Sequence, residues 1–293
     1  MSIKHYIIEV FEPTLFFGFI AALLGVVASW HYGTLKLSDG ILAVVGIILA
    51  QIAVNLIDDY VDFSSGLDND TKKTKFSGGS VLLGKGKAEP VYVLGIGISA
   101  FVAAALIGVY LLIGNLALLP IFIIGIIAVL FYAKYLTRIP YFSEPLMALS
   151  FGLVAIGSFI ASGGSISMLW VFGLVAFASG IQVGEAGTAN SVPDRKADMK
   201  HGRRNAVVML KSNRNAALFY ILLYSLALIL VSAAVAFGGI PYYALGVFLT
   251  LPVMAAVACG ISRYKKPEKY ERVMALATMA EFAFMLILVL AFL

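Results

Sequence analysis

Asn55, Asp58, Asp59 and Asp62 stand at i, i+3, i+4 and i+7, so on a helix they share one face. Three carboxylates and an amide crowded in this way repel one another unless a cation sits among them. Mg²⁺ suits the set: it takes hard oxygen ligands, keeps several waters and bridges carboxylates to substrate phosphates. Gly66 lets the chain turn so that Asp68 joins the same site. A second cluster holds Asp194 and Asp198 at i and i+4. Pro193 ahead of it suits a helix start or break, and Lys200, Arg203 and Arg204 follow. Metal-binding acids beside phosphate-binding cations are what a diphosphate leaving group requires, because metals and Arg forks stabilise the charge that grows as a C–O bond breaks. A lone Asp at a helix end is most often a solvated residue. Two such clusters, each with an Asn ahead (Asn55, Asn190) and bases behind, make a much more specific pattern.

The elements that must carry these residues follow from composition. The 293 residues are 61% hydrophobic and 13% charged, against about 45–50% and about 25% in soluble domains. Nine apolar stretches of about 17–24 residues run roughly over 14–30, 40–56, 91–113, 117–133, 145–161, 169–187, 216–237, 242–262 and 272–293. Continuous apolar runs of this length satisfy their backbone in lipid as helices rather than barrel strands. The fold class expected is therefore all-α: a polytopic bundle of nine transmembrane helices in one domain over 1–293. The two aspartate clusters end spans 2 and 6, four spans apart. That suggests a duplication of spans 1–4 in spans 5–8, with span 9 appended. The first stretch follows Glu9, Glu12 and Pro13 instead of a basic run, so it reads as a span rather than a signal peptide.

Charge orients the bundle. Of the 21 Lys and Arg, all but Lys36 fall before span 1 or after spans 2, 4, 6 and 8. This asymmetry places the N-terminus and the four long polar loops in the cytoplasm and the C-terminus outside. The active site is then expected at the cytoplasmic ends of helices 2 and 6. The net charge of +5 reports topology, and no soluble basic face exists for nucleic acid. The single cysteine, Cys259, lies in a span and allows no intrachain disulfide; His5, His31 and His201 are too scattered for a zinc or haem site. Gln51, Gln182, Glu185 and Glu281 are polar residues within spans, where such residues are costly. Glu144 begins span 5, and Glu281 has no assigned role.

The two clusters resemble the paired aspartate-rich motifs of the UbiA superfamily of intramembrane prenyltransferases. The first is similar to its Asn-Asp-x-x-Asp pattern. The spacing Asp62-x-x-x-Gly66-x-Asp68, with Asn55 ahead, is closest to the MenA-like branch, which prenylates dihydroxynaphthoate. The second resembles Asp-x-x-x-Asp-x-x-x-Gly-Lys/Arg-Arg at Asp194, Asp198, Gly202, Arg203 and Arg204. Departures are visible. Asp58 stands where the family usually has Asn. Leu130 fills the Tyr position of its Tyr-x-x-x-Lys, with Lys134 matching the Lys and Tyr132 the nearest hydroxyl. The stretch 77–86 resembles a Gly-Ser-containing loop of the branch, with Lys72, Lys73, Lys75 and Lys85 around it.

The resemblance implies transfer of a prenyl group from a polyprenyl diphosphate to a small, aromatic quinone-precursor acceptor. Asp59, Asp62, Asp194 and Asp198 would be catalytic, and Mg²⁺ would be held by Asp58, Asp59, Asp62, Asp68, Asp194 and Asp198. Asn55, Tyr132, Lys134, Lys200, Arg203, Arg204, Gln182 and Glu185 would contact substrates, the last two at the acceptor. The loop Ser64–Pro90 is a candidate lid. Two alternatives stand beside this reading: a glyceryl phosphate lipid as acceptor, and a cation-coupled transporter. The transporter would place its acids at mid-bilayer on broken helices rather than at span ends beside Lys and Arg.

Overall fold

A computed structural model describes residues 15–71, 83, 86–267 and 270–293, without the side chain of Asn69. Lys72, Lys73, Lys75, Lys85, most of the 77–86 stretch, and the residues ahead of Leu15 lie outside the described residues, as does much of the candidate lid. The described residues form helices α1 (Leu15–His31), α2 (Leu37–Ser65), α3 (Leu67–Asp70), α4 (Pro90–Gly114), α5 (Leu119–Phe131), α6 (Ser143–Ala161), α7 (Leu169–Ser191), α8 (Arg195–Lys200), α9 (Ala206–Leu210), α10 (Asn213–Ala236), α11 (Leu251–Ser262) and α12 (Glu271–Ala291). Short 3₁₀ turns precede α5 and α7, and a longer 3₁₀ stretch, Tyr242–Thr250, leads into α11. No strand occurs among the described residues, in keeping with the all-α expectation.

Among the described residues, seven helical segments are long and apolar enough to cross a bilayer. Two of the nine expected spans are shorter: Leu15–His31 and Leu116–Phe131. The second is short for a local reason. Asn115 caps a 3₁₀ turn by accepting from Ala117 N–H, so the α-helix proper starts only at Leu119 and spans about 20 Å. The stretch 242–262 also departs from a single α-helix. It changes from 3₁₀ to α at Thr250, two residues ahead of Pro252, which has no N–H for the i−4 carbonyl.

Helix α7 is the axis of the molecule and is buried along most of its length. Helices α1, α6, α10 and α12 pack around it. α6 and α7 approach through glycine: a Cβ on Gly184 would lie 2.6 Å from the Glu144 carbonyl oxygen, and one on Gly180 would collide with that of Ala148. Gly25 brings α1 against α6 at Ala155 in the same way. In lipid, association rests on packing of this kind, because burying apolar surface gains nothing over contact with acyl chains. A second layer, α2, α4 and α5, leans on α1 and α6. Its outer face carries exposed Val102, Leu106, Ile113 and Ile123, a surface suited to lipid.

At one end of the bundle the helices are tied together. Ser29 Oγ donates to Ser162 Oγ at 2.8 Å, Lys36 N–H donates to the Ser162 carbonyl at 2.7 Å, and Tyr32 O–H donates to the Gly239 carbonyl. Phe159, Phe172 and Phe292 pack around Tyr32 and His31. At the other end stand both aspartate clusters. Helix α2 has 29 residues, about 43 Å of helix against a hydrocarbon core of about 30 Å. Asp58 lies about 32 Å from its start, so the surplus turns carry the carboxylates past the apolar layer.

The α6–α7 contact yields a test. Gly180→Ala should destabilise the protein by about 1–3 kcal/mol through overpacking, although Ala favours helix. Gly95→Ala, where nothing lies within 4 Å of the added carbon, should be neutral or stabilising by up to about 1 kcal/mol. Thermal unfolding in detergent reads both; equal melting temperatures would refute the close-packing account.

Candidate functional site

Helix α2 runs unbroken through Asn55, Asp58, Asp59 and Asp62, and stops where Gly66 adopts φ +79. That turn starts α3, which holds Asp68, buried, and Asp70, exposed. On the facing side α7 ends at Ser191. Pro193 lies in the break, and α8 begins at Arg195 with Asp194 as its N-cap residue. The Asp198 N–H donates to the Asp194 carbonyl at 2.9 Å, so both carboxylates sit on one helical turn. Gly202, at φ +81, reverses the chain after α8, and the Arg203 N–H closes the reversal on the Asp198 carbonyl at 2.8 Å.

Arg203 joins the two clusters. Its Nη2 donates to both Asp62 carboxylate oxygens, at 2.5 and 2.6 Å, and to Asp58 Oδ1 at 3.2 Å. Asn205 holds the other side: its Nδ2 donates to Asp198 Oδ2 at 2.7 Å, while its Oδ1 accepts from Val208 N–H and caps α9. Burial raises the Asp198 carboxyl above the usual carboxylate range, opposed by the Arg203 charge and the Asn205 bond. Glu144, at the start of α6, receives the Ala206 N–H on both carboxylate oxygens, at 3.0 and 3.1 Å. At the rim, Lys200 Nζ and His201 Nε2 both reach Asp70 Oδ2, at 2.7 and 2.6 Å, which ties α8 to α3 and holds the Asp70 carboxyl low.

Two cavities meet here. A polar one of about 280 Å³ is walled by Asp58, Asp194, Asp198, Arg203, Asn190 and Tyr132, with Glu144, Ser143 and Asn205 among the others. An apolar one of about 470 Å³ runs between the α2–α4–α5 layer and α6–α7. Asp58, Tyr132, Met147, Gly187 and Asn190 belong to both walls, so the two spaces adjoin across those five residues. The Asn190 Oδ1 and Ser143 Oγ atoms are buried in the polar wall with no hydrogen-bond partner among the described residues. Buried polar atoms are nearly always satisfied, so an unmet acceptor beside carboxylates fits a hard cation or a hydrated polar ligand.

The residues singled out from sequence divide into groups. Asp58, Asp194, Asp198, Arg203 and Tyr132 come together around the polar cavity; Asp62 joins through Arg203. Asn55 lines the apolar side of the junction and accepts from Gln51 Nε2 at 2.9 Å. Asp59 and Asp68 are buried beside the site but line neither cavity. Lys134 and Arg204 are exposed and also line neither; the Lys134 ammonium lies 5.4 Å from the Tyr135 ring, and the Arg204 backbone bonds Thr137 and Tyr141. Lys200 points to Asp70 at the rim. Gln182 and Glu185 are buried on a face of α7 away from both cavities, where Glu185 lies near Tyr220. Among the described residues no three acidic, His or Cys side chains converge as a ready cation site; Arg203 stands between the acids. Asn190, Ser143 and Asn205 were not singled out as site residues. Asn190 had a signal, since it precedes the second cluster as Asn55 precedes the first.

The pattern that defines the UbiA prenyltransferase family matches residues 18–288. The 1,4-dihydroxy-2-naphthoate octaprenyltransferase of Bacillus subtilis (strain 168) is 26% identical over 260 residues, covering 87% of this chain and 81% of that protein. Among solved structures, an apo UbiA homologue from Aeropyrum pernix K1 superposes with a TM-score of 0.67 at 17% identity, covering 98% of this chain and 96% of the other. A UbiA homologue from Archaeoglobus fulgidus bound to DMAPP and Mg²⁺ gives 0.57 at 16% identity, covering 93% and 96%. At these identities the two structures establish the shared fold.

The Asn205 contacts are testable apart from any activity. Asn205→Ala removes the α9 cap and the donor to Asp198, and should cost about 1–2 kcal/mol of stability. Asn205→Ser, which keeps a capping oxygen, should recover part of that loss in the same thermal melt. An unchanged melting temperature for the Ala variant would show that neither bond matters.

Proposed function

The chain belongs to the UbiA prenyltransferase family, an integral membrane enzyme, and on that premise we propose the following reaction: Mg²⁺-dependent transfer of a prenyl group from a polyprenyl diphosphate to a small aromatic acceptor such as dihydroxynaphthoate, releasing diphosphate. The observation that carries this reading is the junction of the two cavities. A prenyl diphosphate has a trianionic head and a long apolar tail. A polar chamber with both aspartate clusters, opening directly into an apolar cavity, offers one compartment to each.

The acids fit the metal. Asp58, Asp194 and Asp198 on the cavity wall would supply hard oxygens, with Asp62 behind Arg203 and Asp59 and Asp68 buried beside them, and Asn190 Oδ1 adds a buried, unmatched acceptor. Bound there, Mg²⁺ neutralises the diphosphate and so eases departure of the leaving group. The chain's own groups do the rest. Arg203, on the wall of the polar cavity, offers its fork to phosphate oxygens. Asn205 fixes the direction of the Asp198 carboxylate, and Glu144 fixes the start of α9 behind it. Tyr132 and Met147 stand at the junction, where C1 of the donor must lie if the head is on the aspartates. Tyr132 lines the place where allylic positive charge would develop, and an aromatic ring there would stabilise it. The apolar walls beyond keep water from that cation.

The same reading takes the chain as one catalytic domain of nine membrane-crossing segments, the two shorter helices included. The aspartate end would face the cytoplasm, as the distribution of Lys and Arg supports.

Purified protein is incubated with Mg²⁺, geranylgeranyl diphosphate and a panel containing dihydroxynaphthoate and 4-hydroxybenzoate, and products are identified by mass. We expect a prenylated aromatic product that disappears with EDTA and falls about 100-fold or more with Asp198→Ala. Mg²⁺-dependent donor binding without any aromatic product would shift the acceptor to a glyceryl phosphate lipid. Failure to bind the donor at all would sink the proposal.

A further inference from the structure

Arg203 holds two positions that a single bound state cannot reconcile. It lines the polar cavity where a diphosphate would sit, yet its Nη2 is spent on three carboxylate oxygens of α2: both of Asp62 and Oδ1 of Asp58. Mg²⁺ bonds oxygens at about 2.0–2.1 Å, so an ion on those atoms and a guanidinium at 2.5–3.2 Å from them exclude each other by contact and by charge. The guanidinium cannot resolve the conflict by losing a proton. It can only move.

We propose that Arg203 is a resident counter-ion that occupies the cation's seat on α2 until a diphosphate draws it off, so that metal and diphosphate bind as a coupled pair. This rests on the prenyl diphosphate reading above. The surroundings are built for movement of the side chain alone. The backbone of Arg203 is pinned by its bond to the Asp198 carbonyl, between the Gly202 turn and the Asn205 cap. The acids it would leave gain the metal, and the anion it would join lies in the cavity it already lines. The neighbouring cations do not compete for this role. Lys200 is held by Asp70 at the rim, and Arg204 is exposed. With the seat filled, a divalent cation alone meets a positive charge on its ligands; with a diphosphate present, the same charge has moved to where it helps. Linkage then requires the metal to raise diphosphate affinity by the same factor that diphosphate raises metal affinity.

The direct test counts bound Mn²⁺, by loss of the free-ion EPR signal, in detergent-solubilised protein without any diphosphate. Arg203→Gln should bind Mn²⁺ at least about tenfold more tightly than wild type. Arg203→Met, which keeps the length without the charge, carries the same expectation if the Gln variant does not fold. Arg138→Gln removes a cation beside the Gly202 turn, and should change Mn²⁺ affinity less than about threefold. Adding a non-ionisable geranyl thiodiphosphate should tighten Mn²⁺ binding to wild type at least about tenfold, and to Arg203→Gln by a smaller factor. Unchanged or weaker Mn²⁺ binding in the Arg203 variants would overturn the proposal while leaving the prenyl diphosphate reading intact. So would equal tightening in Arg138→Gln, which would reduce the effect to general field. Mn²⁺ binding absent from every variant, with the thiodiphosphate present, would overturn both.

Discussion

The constraint on which the structure turns is the gathering of carboxylates at the end of an apolar bundle. Asp59, Asp62, Asp68 and Asp198 lie buried, and Asp58 half-buried, within two short stretches, where contact with bulk water is reduced. Each unpaired charge in such a place carries a desolvation cost of several kcal/mol. The bond from Arg203 to Asp62 and Asp58 answers that cost and joins the two stretches in one contact. Much of the local architecture exists to hold that contact: the Gly66 and Gly202 turns, the break at Pro193 and the cap at Asn205. Removing one partner of such a pair costs about 3–5 kcal/mol, more than the pair itself is worth, because the remaining charge is stranded.

What the sequence revealed was what periodicity and local stereochemistry determine. The i, i+3, i+4, i+7 spacing from Asn55 to Asp62 needed only a continuing helix, and α2 continues to Ser65. Gly66 as a turn and Pro193 as a break are likewise local effects, since each depends on a single backbone preference. Side-chain direction around a fully apolar helix was not legible. α7 is buried on nearly every side, so its sequence has no polar stripe to mark a face. Gln182 and Glu185 were therefore expected at the acceptor, whereas the fold turns them toward α10 and gives the cavity wall to Val183, Ala186, Gly187 and Asn190. For Lys134 the only signal is its spacing. The chain leaves α5 in turns rather than helix beyond Phe131, and its side chain swings out over Tyr135. Helix type was not legible where polarity was low: the change from 3₁₀ to α at Leu119 and after Thr250 leaves no mark in hydropathy.

The two layers also divide the labour between stability and capacity. α1, α6, α7, α10 and α12 form a close-packed unit with small residues at the contacts, while α2, α4 and α5 touch it at fewer places and leave the apolar cavity between. Metal-type acids are thus split between a helix of the looser layer, α2, and the turn that follows the most buried helix, α7. A small shift of the outer layer would change the distance between the acids; Arg203 on Asp62 and Asp58, with Lys200 and His201 on Asp70, opposes it.

The knot of serine, tyrosine and phenylalanine contacts at the far end has a consequence for traffic. The apolar cavity reaches Ala43 and Ala161, and just beyond them Ser162 is bonded to both Ser29 and Lys36. Those bonds hold the helices together at that end, away from the aspartates. In the proposed reaction the polar chamber is the side from which diphosphate would leave, and the apolar chamber is the side on which the prenylated product would meet lipid. In that reaction the prenyl donor and the prenylated product would reach and leave the site by two-dimensional diffusion in the bilayer, while the diphosphate would leave through water.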